Sequence, residues 1–170
     1  QTSTIQNINR IGRREHLRWC NTTYKYIQKL DKTYSQWLCI PRSIKTTSQK
    51  PSGSVSLLCN ATPGIHAPHA EYYYRTIRIA KDSPLVISLR NANYRIEDDV
   101  YDSMKNRVVV YFPIHEQNFK RSKYDYSIWE QVQMAADMQY WWADNAISCT
   151  VTFKPEEAKD IKNILECYED

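Results

Sequence analysis

The sequence predicts an α/β fold with a mainly parallel sheet. Three observations point there: a long amphipathic helix near the start, apolar runs of strand length set between later helical stretches, and the run RVVVYFPI at 107–114. A continuous apolar run of that kind is typical of a strand covered on both faces, as in parallel sheets.

The elements follow in order. Leu17, Cys20, Tyr24, Ile27, Leu30, Tyr34, Trp37 and Leu38 recur at helical steps, predicting a helix over 13–38 that Pro41 ends and that buries Leu17, Cys20, Tyr24, Ile27, Leu30 and Tyr34. A strand is expected at 43–47, then a Pro-Ser-Gly loop and a short helix from near Ser54. CNATPGIHAPHAEYYY is turn-rich, with Pro63-Gly64 as its strongest break. Residues 74–80 alternate as a strand with Arg75 and Arg78 on opposite faces. Ser83-Pro84 opens a helix to about Asn91. Ser127 and Glu130 stand in capping-box relation before Val132, Ala135, Met138 and Trp142. AISCTVTF at 146–153 reads as a further strand. Pro155-Glu156-Glu157 then starts a helix with Ile161, Ile164, Leu165 and Tyr168 on one face. No repeat or linker divides the chain, so residues 1–170 are expected to form one domain or one part of a larger one.

Composition excludes several classes. With 42% hydrophobic and 25% charged residues the chain is a globular protein rather than a disordered one. No apolar stretch nears the roughly 18–20 residues of a membrane span. Gln1 is not a translation start, so a processed chain or a piece of a longer protein is expected. The formal charge of +4 is mild, and the densest basic cluster, Arg10 to Arg18, is interrupted by Glu15. It reads as a solvated helix face, and no direct nucleic-acid contact is expected. Cys20, Cys39, Cys59, Cys149 and Cys167 form no CxxC pair and are odd in number. Most read as small core residues in a reducing, intracellular compartment. His66 and His69 have no further ligands at metal spacing, so no metal site is expected.

One stretch invites chemistry. In TTSQKPSGSVSLLCN, residues 46–60, a β-branched run leads through Pro51-Ser52-Gly53 into an apolar run. The N–H groups of a first helical turn converge on an anion, Gly53 admits close approach, and Lys50 adds a point charge. The motif is neither a Walker loop nor a dinucleotide fingerprint, and a plain turn has the same composition.

The segments WLCIPRSIKTTSQKPSGSVSLLCNATPGIHAPH, EYYYRTIRIAKDSPLVISLRNANYRIEDDVYD, RVVVYFPIH and QYWWADNAISCTVTFKPEEAKDI resemble, in this order, the C-terminal part of the barrel of adenosylcobalamin-dependent (class II) ribonucleotide reductases. The resemblance covers about residues 1–12 and 16–169, and KPSGSVSLL and the WADN-to-KPEE run are its most specific parts. It implies a partial, C-terminal half of a ten-stranded α/β barrel. It also implies that Ser52, Gly53, Ser54 and Val55 give the substrate's phosphates their donors, mostly backbone N–H. The family's radical cysteine and Cys-x-Glu loop precede Gln1 in chain order, and none of the five cysteines matches a catalytic position. No catalytic residue is assigned.

Four departures from the family's pattern accompany these matches: Arg13-Arg14-Glu15 directly after NRIG, Asn60 for a glycine, Trp141 and Ala146. Half a barrel leaves open strand edges that need a partner. Two expectations follow. One is a structural subunit, non-catalytic alone, that binds no cofactor and whose edges protein partners cover. The other is part of an active reductase that takes adenosylcobalamin, with its radical cysteine on residues or a chain not shown. The first allows a mitochondrial assembly, the second a cytoplasmic enzyme.

Overall fold

The structure is a computed structural model that describes residues 3–53 and 55–169, without the side chains of Leu57 and Leu58. Two compact units result, residues 1–70 with 116–170, and residues 71–115.

The first unit is helical. Helix α1 (Thr4–Ile11) is followed by α2 (Arg13–Trp37), which matches the expected long helix within a residue. A single turn, α3 (Val55–Leu58), follows the Pro-Ser-Gly loop. Helix α5 (Ile128–Trp141) starts at the expected capping box: the Ser127 hydroxyl accepts from Glu130 N, and Ser127 N donates to the Glu130 carboxylate at 3.0 Å. The turn Pro155–Asp160 is 3₁₀ and leads into α6 (Ile161–Cys167), where Ile164 is buried and Leu165 exposed. Cys20 of α2, Met138 of α5 and Ile65 form the core, with Met134, Ala135, Trp141, Trp142, Ile147 and Cys149 against it.

The expected inner face of α2 is only partly buried. Cys20 is buried, as are His16 and Ser35; Leu17, Tyr24, Ile27 and Leu30 are half-buried, and Tyr34 is exposed. Length explains this. At 1.5 Å per residue α2 runs about 37 Å and the 14-residue α5 about 21 Å, so α5 covers part of it. The cysteines also depart from expectation. All five are thiols, but Cys39, Cys59 and Cys167 are exposed and only Cys20 is buried.

In the second unit β1 (Tyr72–Ala80), β2 (Arg95–Asp98) and β3 (Arg107–His115) form a three-stranded sheet in the order β1-β3-β2, with α4 (Pro84–Asn91) between β1 and β2 in the chain. Both pairings are antiparallel, with Tyr72 opposite His115 and Arg95 opposite Tyr111. The mainly parallel sheet expected from sequence is therefore corrected for the described strands. The connection 99–106 is shorter than the dozen or so residues a parallel crossover needs. Strand β3 is also covered on one face only. Val108 and Val110 pack on Val86 of α4, whereas Val109 and Tyr111, on the other face, stay half-exposed. Strand β2 was not anticipated, because NYRIEDD offers only one aliphatic residue between charges.

The strands expected at 43–47 and 146–153 form no regular ladder. Residues 47–49 and 145–148 do run side by side in the same direction: Asn145 N donates to Thr47 O, and Ser148 N to Gln49 O. Two residues on one side match three on the other, so the bonding falls out of step as at a bulge.

Burial ranks the core positions for test. Met138→Ala, at 1% exposure, should lower unfolding free energy by about 2–5 kcal/mol. Half-buried Leu30→Ala should cost clearly less. Urea denaturation of both variants checks this, and equal losses would mean that α2 is packed along its whole length.

Candidate functional site

The loop after residue 46 is held by the turn that ends α5. Asp144 accepts from Thr46 N (2.8 Å) and Thr46 Oγ1 (2.9 Å) with one carboxylate oxygen, and from the Tyr24 hydroxyl (2.7 Å) with the other. Burial pushes this carboxyl up, but the hydrogen bonds from Thr46, Tyr24 and Thr47 outweigh it and hold the group below the usual aspartate range. Next in line, Thr47 Oγ1 donates to Trp142 O, Trp142 Nε1 donates to Ser48 O (3.0 Å), and Lys50 Nζ reaches Ala146 O (2.9 Å). WADN thus grips TTSQK residue by residue.

From below, α1 supports the same loop. Ser3 N donates to Thr62 O and Thr4 N to Gly64 O. The buried Gln6 side chain accepts from Thr62 N and donates to the buried Glu116 at 2.7 Å. Gly64, at φ 58, presses against Pro51: a Cβ there would stand 3.3 Å from its Cα and N. Glycine is needed here for both conformation and space.

The predicted donors can now be placed. Ser52 is half-buried, and its hydroxyl is used internally, accepting from Ser56 N at 3.0 Å. Gly53 is exposed, with nothing within 4 Å of where its Cβ would be, and Val55 is exposed. Ser54 lies outside the described residues. Helix α3 is one turn long, so a helix dipole adds little and any anion would depend on the loop's own N–H groups. Lys50 is tied to Ala146. Asn60 lies beyond α3 at φ 47, a left-handed conformation that glycine and asparagine share.

Two features escaped the sequence reading. Tyr24, taken as a core residue, bonds Asp144 instead. Gln49 is completely buried and neither amide atom has a hydrogen-bond partner. The histidines also have duties. His66 Nε2 accepts from Thr150 N at 2.8 Å, and its ring also bonds the Pro63 carbonyl. Asn7 meets His16 Nδ1 at 2.8 Å, and Cys20 Sγ lies 3.6 Å from Nε2. Among the described residues no three His, Cys, Asp or Glu side chains are grouped to hold a metal ion, and no helix is long and apolar enough to cross a membrane.

The clamped Pro-Ser-Gly loop and the Trp-Ala-Asp-Asn turn both lie within a stretch that matches a known family. A family profile described as the barrel domain of ribonucleotide reductase matches residues 41–169. The chain belongs to that family. It is 47% identical over 89% of its length to a probable adenosylcobalamin-dependent ribonucleoside-triphosphate reductase of Dictyostelium discoideum. It is 43% identical over 96% of its length to an adenosylcobalamin-dependent ribonucleoside-triphosphate reductase of Euglena gracilis. The crystal structure of a B12-dependent (class II) ribonucleotide reductase superposes with a TM-score of 0.84, at 36% identity, over 91% of this chain and 22% of that one. The chain spans 20% and 22% of the two curated relatives' lengths.

The two loop glycines should respond in opposite ways. Gly64→Ala is expected to destabilise by about 1–3 kcal/mol, the cost of a strained left-handed residue. Gly53→Ala should be neutral, or stabilising by up to about 1 kcal/mol. Thermal melts compare them, and a Gly53→Ala loss as large as that of Gly64→Ala would contradict the placement.

Proposed function

We propose that this chain is the phosphate-holding part of a class II reductase-type barrel, inactive alone and working as a structural subunit whose open sheet edges are covered by protein partners. One observation carries the reading. The segment leading into the loop is clamped by Asp144 and Trp142 while Gly53 stays unobstructed, which suits backbone N–H groups that must meet a ligand's oxygens. The resemblance to the family's phosphate loop adds Ser52, Ser54 and Val55 as the other donors.

A second reading is favoured by the 47% identity to the Dictyostelium relative: the same loop serves an active ribonucleoside-triphosphate reductase completed by further residues or another chain. Both readings put the radical chemistry elsewhere. Adenosylcobalamin supplies the radical initiation in such an enzyme. The donors of this chain do not fit that cofactor: the loop offers hydroxyl and amide groups suited to an anion, and the ring nitrogens of His16 and His66 bond within the protein.

Backbone amide shifts during phosphate titration test the reading. Weak binding, about millimolar, is expected, because a few charge-assisted hydrogen bonds of roughly 1.5–3 kcal/mol each are offset by the cost of immobilising the ligand. Shifts should be confined to residues 52–56 and vanish in Gly53→Pro. The homogeneous 170-residue chain, given adenosylcobalamin and a dithiol, should form no deoxynucleotide. Absent shifts would remove the phosphate role, and turnover would remove the non-catalytic one.

A further inference from the structure

Helix α2 presents two parallel rows of side chains to solvent. Arg14, Arg18, Lys25, Lys29 and Lys32 are all exposed. Their steps of four, seven, four and three residues keep them within about 60° on a helix of 3.6 residues per turn. Trp19, Tyr26 and Trp37, exposed by 43, 59 and 73%, recur after two and three turns. They form a second row about 110° round from the first. Each row spans 18 residues, about 27 Å. Glu15 and Thr22 lie between them, and the core-facing residues His16 and Cys20 are turned away.

The charge of the cationic row is neutralised from within only at Arg18, whose partner Glu15 also accepts from Trp19 Nε1 at 2.6 Å. Arg13 is held by Asp137, Arg18 by Glu15, and Asp31 by Arg42. Arg14, Lys25, Lys29 and Lys32 make no ion pair among the described residues. With Arg13, Arg14, Arg18, Lys25, Lys29 and Lys32 against Glu15 and Asp31, the helix has a formal +4, equal to the excess of the entire chain. The sequence reading stopped the basic cluster at Arg18; the helix extends it to Lys32 and sets aromatic rings beside it.

We propose that this face of α2 binds single-stranded nucleic acid, with phosphates along the cationic row and bases stacked on Trp19, Tyr26 and Trp37. The occupant must be a linear polyanion that also offers flat π faces to one side, and a single strand has both. A membrane-surface helix buries a broad apolar face, whereas Glu15, Thr22 and Thr33 stand between these two rows. A second copy of the chain would set +4 against +4. An acidic protein surface would match the charge, but lysine, which supplies three of the five cations, is depleted at protein interfaces.

Fluorescence polarisation of a labelled oligo(dT) 20-mer with the 170-residue chain tests this. Saturable binding is expected, weakening with salt at a log–log slope near −3, about −0.7 for each of four phosphates. Lys25→Gln/Lys29→Gln/Lys32→Gln should weaken binding at least tenfold and flatten the slope by about 2. Tyr26→Ala/Trp37→Ala should weaken it about fivefold or more with the slope unchanged. Circular dichroism confirms that both variants keep their helix. Absence of oligonucleotide binding at low salt would overturn the proposal. So would equal or tighter binding of heparin, of an acidic polypeptide or of anionic vesicles, each of which lacks bases.

Discussion

One carboxylate ties the first unit together around its loop. Asp144 receives Tyr24 from α2 and the backbone and hydroxyl of Thr46, and it sits at the turn that ends α5. These donors belong to segments far apart in sequence, so none can shift without breaking a charge-assisted bond, worth roughly 1.5–3 kcal/mol. The stretch 46–50, which forms no regular ladder of its own, is fixed by this carboxylate and by the Trp142 and Lys50 contacts beyond it. The loop inherits its position from that grip.

Support on the other side combines hydrogen bonds with close packing. Helix α1 holds the turn at 62–64 by two backbone hydrogen bonds, and Gly64 brings that turn directly under Pro51. Gly53, by contrast, is open on the outer side. The loop is thus held where it meets the protein and open at Gly53. Gln49 sits at the junction with a buried amide that has no hydrogen-bond partner, which costs about 1–3 kcal/mol. An apolar residue of similar size would suit the isolated fold better.

Helices were legible in the sequence because their signals are local. The α2 periodicity, the Ser127–Glu130 capping box and Pro84 gave boundaries within a residue or two of those observed. Strand pairing is not local. RVVVYFPI announced a buried strand, yet nothing within it could say that its neighbours run antiparallel or that α4 covers one face alone. TTSQK and AISCTVTF have strand composition, but their register slips by a residue and the ladder does not form. The loop itself was visible through its Pro-Ser-Gly composition and its family likeness. Its clamp was not, because Asp144 and Tyr24 lie 120 positions apart. Tyr24 sits on the inner face of a helical pattern, and its hydroxyl gives no sign of a partner.

Hydrogen exchange on Asp144→Ala shows whether Asp144 positions the Pro-Ser-Gly loop. Amide protection should be lost at Thr46 and Thr47, with the 71–115 sheet exchanging as in the parent chain. Unchanged protection at Thr46 and Thr47 would contradict that role, and would mean that the loop is held by Trp142 and the Gly64 turn alone.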